Sequence, residues 1–137
     1  MTAPTLDVAQ QVLAAQPFSA ALGTVISQYD EAGTVLELPV QPQFLQQHGY
    51  VHGGILCYLA DNALTFAGGY LLGTDILTAG VSITYLRPAQ GERLIARASI
   101  QGSTSRTAAT QVAIHVRSAG EDYLCAVGSG TVARMTR

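Results

Sequence analysis

Residues 46–72 read QQHGYVHGGILCYLADNALTFAGGYLL, and this stretch decides the fold. From Ile55 to Leu72 it has no period-two alternation and no Pro, it is rich in helix formers, and it far exceeds a typical strand. It therefore reads as a helix of about five turns. Its apolar residues, Ile55, Leu56, Leu59, Ala60, Ala63, Leu64, Phe66 and Ala67, point in nearly every direction. A helix that is hydrophobic all round is buried. Gly68, Gly69 and Gly73 are expected to loosen and end it. Asp61, inside this helix, is the only charged residue between Glu37 and Asp75.

Upstream, Thr5–Gln16 spaces Leu6, Val8, Val12 and Leu13 helically until Pro17 closes the segment, which predicts a short amphipathic helix. Residues 22–40 then read as two strands around a tight turn at Asp30–Gly33. Pro42 breaks the sheet pattern, and FLQQHGYVHGG is a polar, glycine-containing loop. Downstream everything is strand. Residues 76–87 alternate Leu77, Ala79, Val81, Ile83 and Tyr85 with Thr78, Gly80, Ser82 and Thr84, which predicts a half-buried strand. Segments 92–100, 107–117 and 123–134 follow, separated by the turns RPAQGE, GSTSR and SAGED, and are expected to meander antiparallel. The total is six strands and one long buried helix, which a sheet curling around that helix satisfies.

At 137 residues the chain has the size of one domain. Hydrophobic residues make up 48%, but charged residues only 12%, against roughly 25% in an average soluble domain. That composition excludes a disordered chain and speaks against a fully solvated monomer. All seven cations are Arg (87, 93, 97, 106, 117, 134, 137), the net charge is −2, and no basic cluster exists, so no nucleic-acid partner is expected. MTAPTLDVAQ has no basic region followed by an apolar one, and no uninterrupted apolar run reaches membrane-span length. A cytoplasmic protein without membrane contact is the expectation. Cys57 and Cys125 are too few for a disulfide scaffold or a zinc site and read as reduced core thiols.

The candidate chemistry lies where the loop meets the helix. The first amides of a helix have no intrahelical acceptor and carry the positive end of the dipole. Gly53 and Gly54 would let a ligand approach those amides closely, although Gly-Gly also reads simply as a turn. Asp61 is costly in an apolar helix unless it is partly exposed, paired with an Arg, or used as a nucleophile or general base. Gly53 and Asp61 are eight positions apart, or roughly 12 Å along a helix, too far for one carbonyl to meet both. If both act on one substrate, the Asp comes from a second subunit. His48 and His52 have the spacing of helical metal ligands, but Gly49 and the loop context spoil it, so no metal is expected. Tyr50, Tyr58, Phe66 and Tyr70 are candidates for lining a pocket for an aromatic or medium-sized group.

HGYVHGGILCYLADNALTFAGG, followed by VSITYLRPAQGERLIARASI, resembles the hotdog-fold acyl-CoA thioesterases of the phenylacetate-degradation type. The resemblance extends from PFSAALGT to the final strand. It implies an α+β hotdog fold over residues 1–137, with a six-stranded antiparallel sheet wrapped around the helix and a short N-terminal helix. It further implies an acyl-CoA substrate, hydrolysis without metal or organic cofactor, and dimers that pair into tetramers. By the same resemblance Asp61 is the catalytic carboxylate and Gly53 the carbonyl-polarising N–H. His52 orders the loop, and Gln46 orients water or assists the departing thiolate. Thr78 places water, with Ser82 as substitute if the register shifts. Arg87 and Arg106 are candidates for the phosphates of CoA. The chain departs from the commonest pattern in pairing Gln46 with an Asp, where relatives more often have Asn. Phe66 stands where hydratases of this fold carry His. A non-catalytic acyl-CoA or fatty-acyl binding protein is the alternative.

Overall fold

The computed structural model describes residues 3–135, so the expected span of 1–137 extends two residues beyond it at each end. Thr5 caps the first helix by accepting the Val8 N–H at 3.3 Å, giving α1 (Leu6–Ala14). Pro17 does not merely stop α1. It opens a second short helix, α2 (Pro17–Leu22), that the apolar spacing did not announce, because Pro is tolerated at the first helical position. A hairpin follows, β1 (Val25–Asp30) and β2 (Gly33–Pro39), closed where Asp30 Oδ1 accepts the Ala32 N–H at 2.9 Å. A 3-10 turn at Pro42–Phe44 leads through the polar loop into α3 (Gly53–Leu72). The rest is β3 (Ile76–Tyr85), β4 (Arg93–Ser103), β5 (Thr107–Ser118) and β6 (Glu121–Arg134).

The six strands form one antiparallel sheet in the order β1-β2-β4-β5-β6-β3. The expected meander holds for β4, β5 and β6, but β3 lies at the far edge beside β6, not next to β4. The connection 86–92 makes this possible by running across the strand ends. Leu86 N–H donates to Cys125 O, Glu92 N–H to Arg117 O, and Val40 N–H to Glu92 O, each at 2.8–2.9 Å.

Because β3 is an edge strand, the half-buried pattern expected for it fails. Leu77 is 62% exposed and Tyr85 50%. A bulge between Thr78 and Gly80 also breaks the alternation. Thr78 pairs with Val132, and Val81 and Ile83 pair with Gly130 and Gly128, so these residues share the helix side of the sheet. Leu77, Gly80, Ser82 and Thr84 lie on the other side. One extra residue has exchanged the faces of Leu77 and Thr78.

The core forms where α3 packs on the sheet. Leu59, Leu64, Leu36, Leu38, Leu94 and Ile114 are fully buried, and each such side chain contributes about 1.5–3 kcal/mol. α3 is long and apolar enough to cross a membrane, but most of it is buried inside the fold, as in the core helix of a globular protein. Gly68 and Gly69 do not end it. A Cβ on Gly68 would stand 2.8 Å from Val132 Cβ, so the missing side chain lets helix and sheet approach. Gly73 is the residue that terminates α3. Nor is α3 apolar all round. Tyr58, Asp61, Asn62 and Thr65, at the three- and four-residue spacing of one helix face, form a half-buried polar stripe.

Candidate active site

The loop before α3 is held at both ends. Leu45 and Val51 bridge each other, Gln46 N–H donates to Tyr50 O at 2.8 Å, and His52 N–H donates to Phe44 O at 2.8 Å. Gln46 Oε1 accepts the His48 N–H, which leaves its amide NH₂ as a donor. His52 is the N-cap of α3, its Nδ1 accepting the Gly54 N–H at 3.0 Å, while its carbonyl accepts the Ile55 N–H at 2.9 Å. Gly54 and Ile55 are therefore satisfied. Among the described residues nothing accepts the Gly53 N–H, which stays at the positive end of the helix dipole. Tyr85, from edge strand β3, steadies this end by donating its hydroxyl to Gly53 O at 2.9 Å. Burial above all, and then the nearby Cys57, raise the Tyr85 pKa above its ordinary value.

Two turns along, Asp61 makes no ion pair among the described residues. Its partners are hydroxyls. Thr78 Oγ1 donates to Asp61 Oδ1 at 2.6 Å, and Thr65 Oγ1 lies 2.6 Å from Thr78 Oγ1, 2.8 Å from Asp61 O and 3.4 Å from Asp61 Oδ1. A threonine has one hydroxyl proton, so with Thr78 donating to Asp61, the Thr65–Thr78 contact needs Thr65 as donor. The carboxylate is thus oriented through one oxygen, and Oδ2 takes no protein donor among the described residues. Asp61, Thr65 and Thr78 line an open cleft of about 330 Å³, together with Tyr58, Asn62 and Leu77.

Of the expected site residues, the structure brings Asp61 and Thr78 into contact and sets His52 and Gly53 at the helix start, while Gln46 lies in the preceding loop with its side-chain oxygen turned to the His48 N–H. Ser82 faces away from the helix. Arg87 lies just beyond β3 at the helix-start end, its guanidinium 5.6 Å from the Tyr123 ring centre. Arg106 lies in the β4–β5 turn at the opposite end, where its carbonyl accepts the Arg134 N–H and Arg134 Nε donates to Leu72 O. One chain therefore does not present both arginines to one ligand. Of the four aromatic candidates, Tyr58 lines the cleft and also joins a polar network with Ser19, Thr24 and Asn62, and Phe66 lines a cavity next to it. No group of three or more His, Cys, Asp or Glu is placed to hold a metal among the described residues.

Sequence reasoning does not single out Thr65 or Tyr85. For Thr65 a signal exists, because a residue four after Asp61 shares its helix face. For Tyr85 none does, because its contact depends on where β3 pairs.

Comparison with known proteins gives a consistent result. Residues 48–122 match the family described as the thioesterase superfamily. The acyl-coenzyme A thioesterase PaaI of Escherichia coli is 33% identical over 95 residues, covering 69% of this chain and 67% of that protein. Among solved structures, a thioesterase family protein from Silicibacter pomeroyi superposes with a TM-score of 0.84 at 27% identity, covering 90% of this chain and 92% of the other. A variant of the phenylacetic acid degradation protein PaaI from Thermus thermophilus gives 0.75 at 32% identity, covering 88% and 100%.

Proposed function

The chain belongs to the thioesterase superfamily, and from that premise we propose that this thioester hydrolase cleaves a small to medium acyl-CoA, aromatic acyl groups included, to the free acid and CoA. The observation that carries this reading is the Asp61 carboxylate, fixed through Oδ1 by the Thr65–Thr78 hydroxyl pair on the wall of an open cleft. In this reading Oδ2 takes the proton of a water that attacks the thioester carbonyl, or attacks that carbonyl itself. The Gly53 N–H, at the dipole's positive end, stabilises the oxyanion, an effect worth about 3–4 kcal/mol where such a donor is preorganised. His52 holds the loop in register, and Gln46 directs its free amide NH₂ at the water or the leaving thiolate. Arg87, at the Gly53 end, is the better placed arginine for a CoA phosphate.

Gly53 and Asp61 are separated by eight helical positions, roughly 12 Å, so the proposed catalytic unit is a homodimer in which each site takes Gly53 from one chain and Asp61 from the other. The edge position of β3 supports this. Leu77, Val81 and Tyr85 are exposed along it and Leu86 just beyond it, an apolar edge that a second copy would cover by extending the sheet. We infer further that the whole chain is one thioesterase domain, and that these dimers pair into tetramers.

The test is thiol release from a panel of acetyl-, butyryl-, octanoyl-, phenylacetyl- and hydroxybenzoyl-CoA. Hydrolysis of at least one thioester, lost in Asp61→Ala, is expected. Full activity in Asp61→Ala contradicts the assignment.

A further inference from the structure

The Asp61 cleft does not end at its own wall. A second cavity, about 110 Å³, lies beneath α1 and is lined by Val8, Ala9, Val12, Tyr29 and Phe66. The two share a rim of four residues: Gln16, Asn62, Thr65 and Ile76. Two of these face each other across the rim. Asn62 Nδ2, on α3, donates to Gln16 Oε1, on the α1–α2 connection, over a long 3.3 Å. Asn62 also donates to Ser19 Oγ at 3.2 Å and Tyr58 OH at 3.3 Å, so its amide is held from the α2 side even without Gln16. Gln16 also accepts the Ser19 hydroxyl at 2.7 Å. The inner cavity approaches the roughly 150 Å³ apolar cavities that take up a benzene-sized guest.

We propose that Gln16 and Asn62 form a polar threshold between the Asp61 cleft and the apolar cavity under α1, and so set the acyl length the enzyme accepts. The proposal rests on the thioesterase reading above. An acyl group that ends in the cleft leaves the threshold closed. A longer one must part the Gln16–Asn62 bond and pass an apolar tail between two amides, screening them from water without offering a hydrogen bond in return. Beyond the threshold the tail meets apolar walls, so the barrier is local. Longer acyl groups are therefore disfavoured by the rim rather than by lack of space.

Gln16→Ala is the informative change, because Gln16 makes no side-chain cap to α2 and Ser19, Tyr58 and Asn62 keep their bonds to one another. Val12→Trp is its counterpart, filling the cavity from a partly exposed position on α1. The experiment measures kcat/KM for acetyl-, butyryl-, hexanoyl-, octanoyl- and decanoyl-CoA in wild type, Gln16→Ala, Asn62→Ala and the double variant Gln16→Ala with Val12→Trp. In Gln16→Ala the octanoyl-to-butyryl ratio should rise about tenfold, the size of effect one or two methylenes carry in a hydrophobic site, and in Asn62→Ala, whose side chain also lines the Asp61 cleft, the same ratio should rise whatever happens to the overall rate. The added Trp should cancel that rise. A purely structural role would lower all substrates together and leave the ratio flat, which overturns the proposal, as does a rise that survives the Trp. If wild type cleaves no thioester, the thioesterase reading fails first and takes this inference with it. A wild-type enzyme whose ratios ignore Gln16 and Asn62 defeats the threshold alone.

Discussion

The Thr78 hydroxyl donates to Asp61 Oδ1 at 2.6 Å across the gap between the edge strand and the central helix, and it faces that way because β3 bulges at Ala79. Thr78→Val keeps the shape and removes the donor. A hydrogen bond to a charged group is worth roughly 1.5–3 kcal/mol, so kcat is expected to fall about 10- to 100-fold with KM little changed. Thr65→Val should act in the same direction and less than additively, since both hydroxyls serve one carboxylate. Steady-state kinetics on the two single variants and the double variant check this, and an unchanged kcat in Thr78→Val contradicts it.

Tyr85 links the edge strand to the first turn of α3 through its bond to Gly53 O. Tyr85→Phe should cost about 1 kcal/mol and lower Tm by about 2–5 °C, read by calorimetry. If Tm is unmoved, that bond does not hold the helix start.

Gly68 sits where α3 meets β6, its absent Cβ 2.8 Å from Val132 Cβ. Gly68→Ala normally favours a helix, but here overpacking should prevail and destabilise by about 1–3 kcal/mol. Gly68→Ala combined with Val132→Ala should recover part of the loss in urea unfolding, and a stabilising Gly68→Ala would show that the two elements separate easily.

Glu37 and Arg93 join β2 and β4 through a 2.7 Å ion pair. The hydrogen bond from Arg93 is the main cause that holds the Glu37 carboxyl below its usual 4.5. A carboxyl lowered in the folded state stabilises above its unfolded value, and the contribution is lost as pH falls through the folded value. The urea midpoint of the wild type should therefore drop below pH 4.5 more steeply than that of Arg93→Gln, and the difference should shrink in high salt because both groups are partly exposed. Parallel curves would mean that the pair does not contribute.

Much of this fold was readable because α3 and the strands obey simple periods. An uninterrupted apolar run with one Asp is a buried helix with something to do, and the regular turns after it separate the strands. What stayed hidden was set by pairing between distant segments. Strand β3 reads as an ordinary amphipathic strand, and nothing local says that it will sit at the edge, expose Leu77, or insert an extra residue at Ala79. That insertion decides whether Thr78 or Leu77 meets the helix. Pro17 is ambiguous for a local reason, since Pro both stops one helix and starts another. Gly68 and Gly69 mark close packing, which looks the same in sequence as a helix end.

In the proposed dimer, Gly53 and Asp61 act on one substrate from two chains. Asp61→Ala removes the carboxylate, and Gly53→Pro removes the N–H at a first helical position where Pro is tolerated. Each variant alone should be inactive. Mixed dimers of the two, separated by differential tags after co-expression, contain one site with both groups intact and should regain up to about half of the wild-type rate per dimer, as one of two sites. Well-formed mixed dimers that remain as inactive as their parents would contradict a shared site.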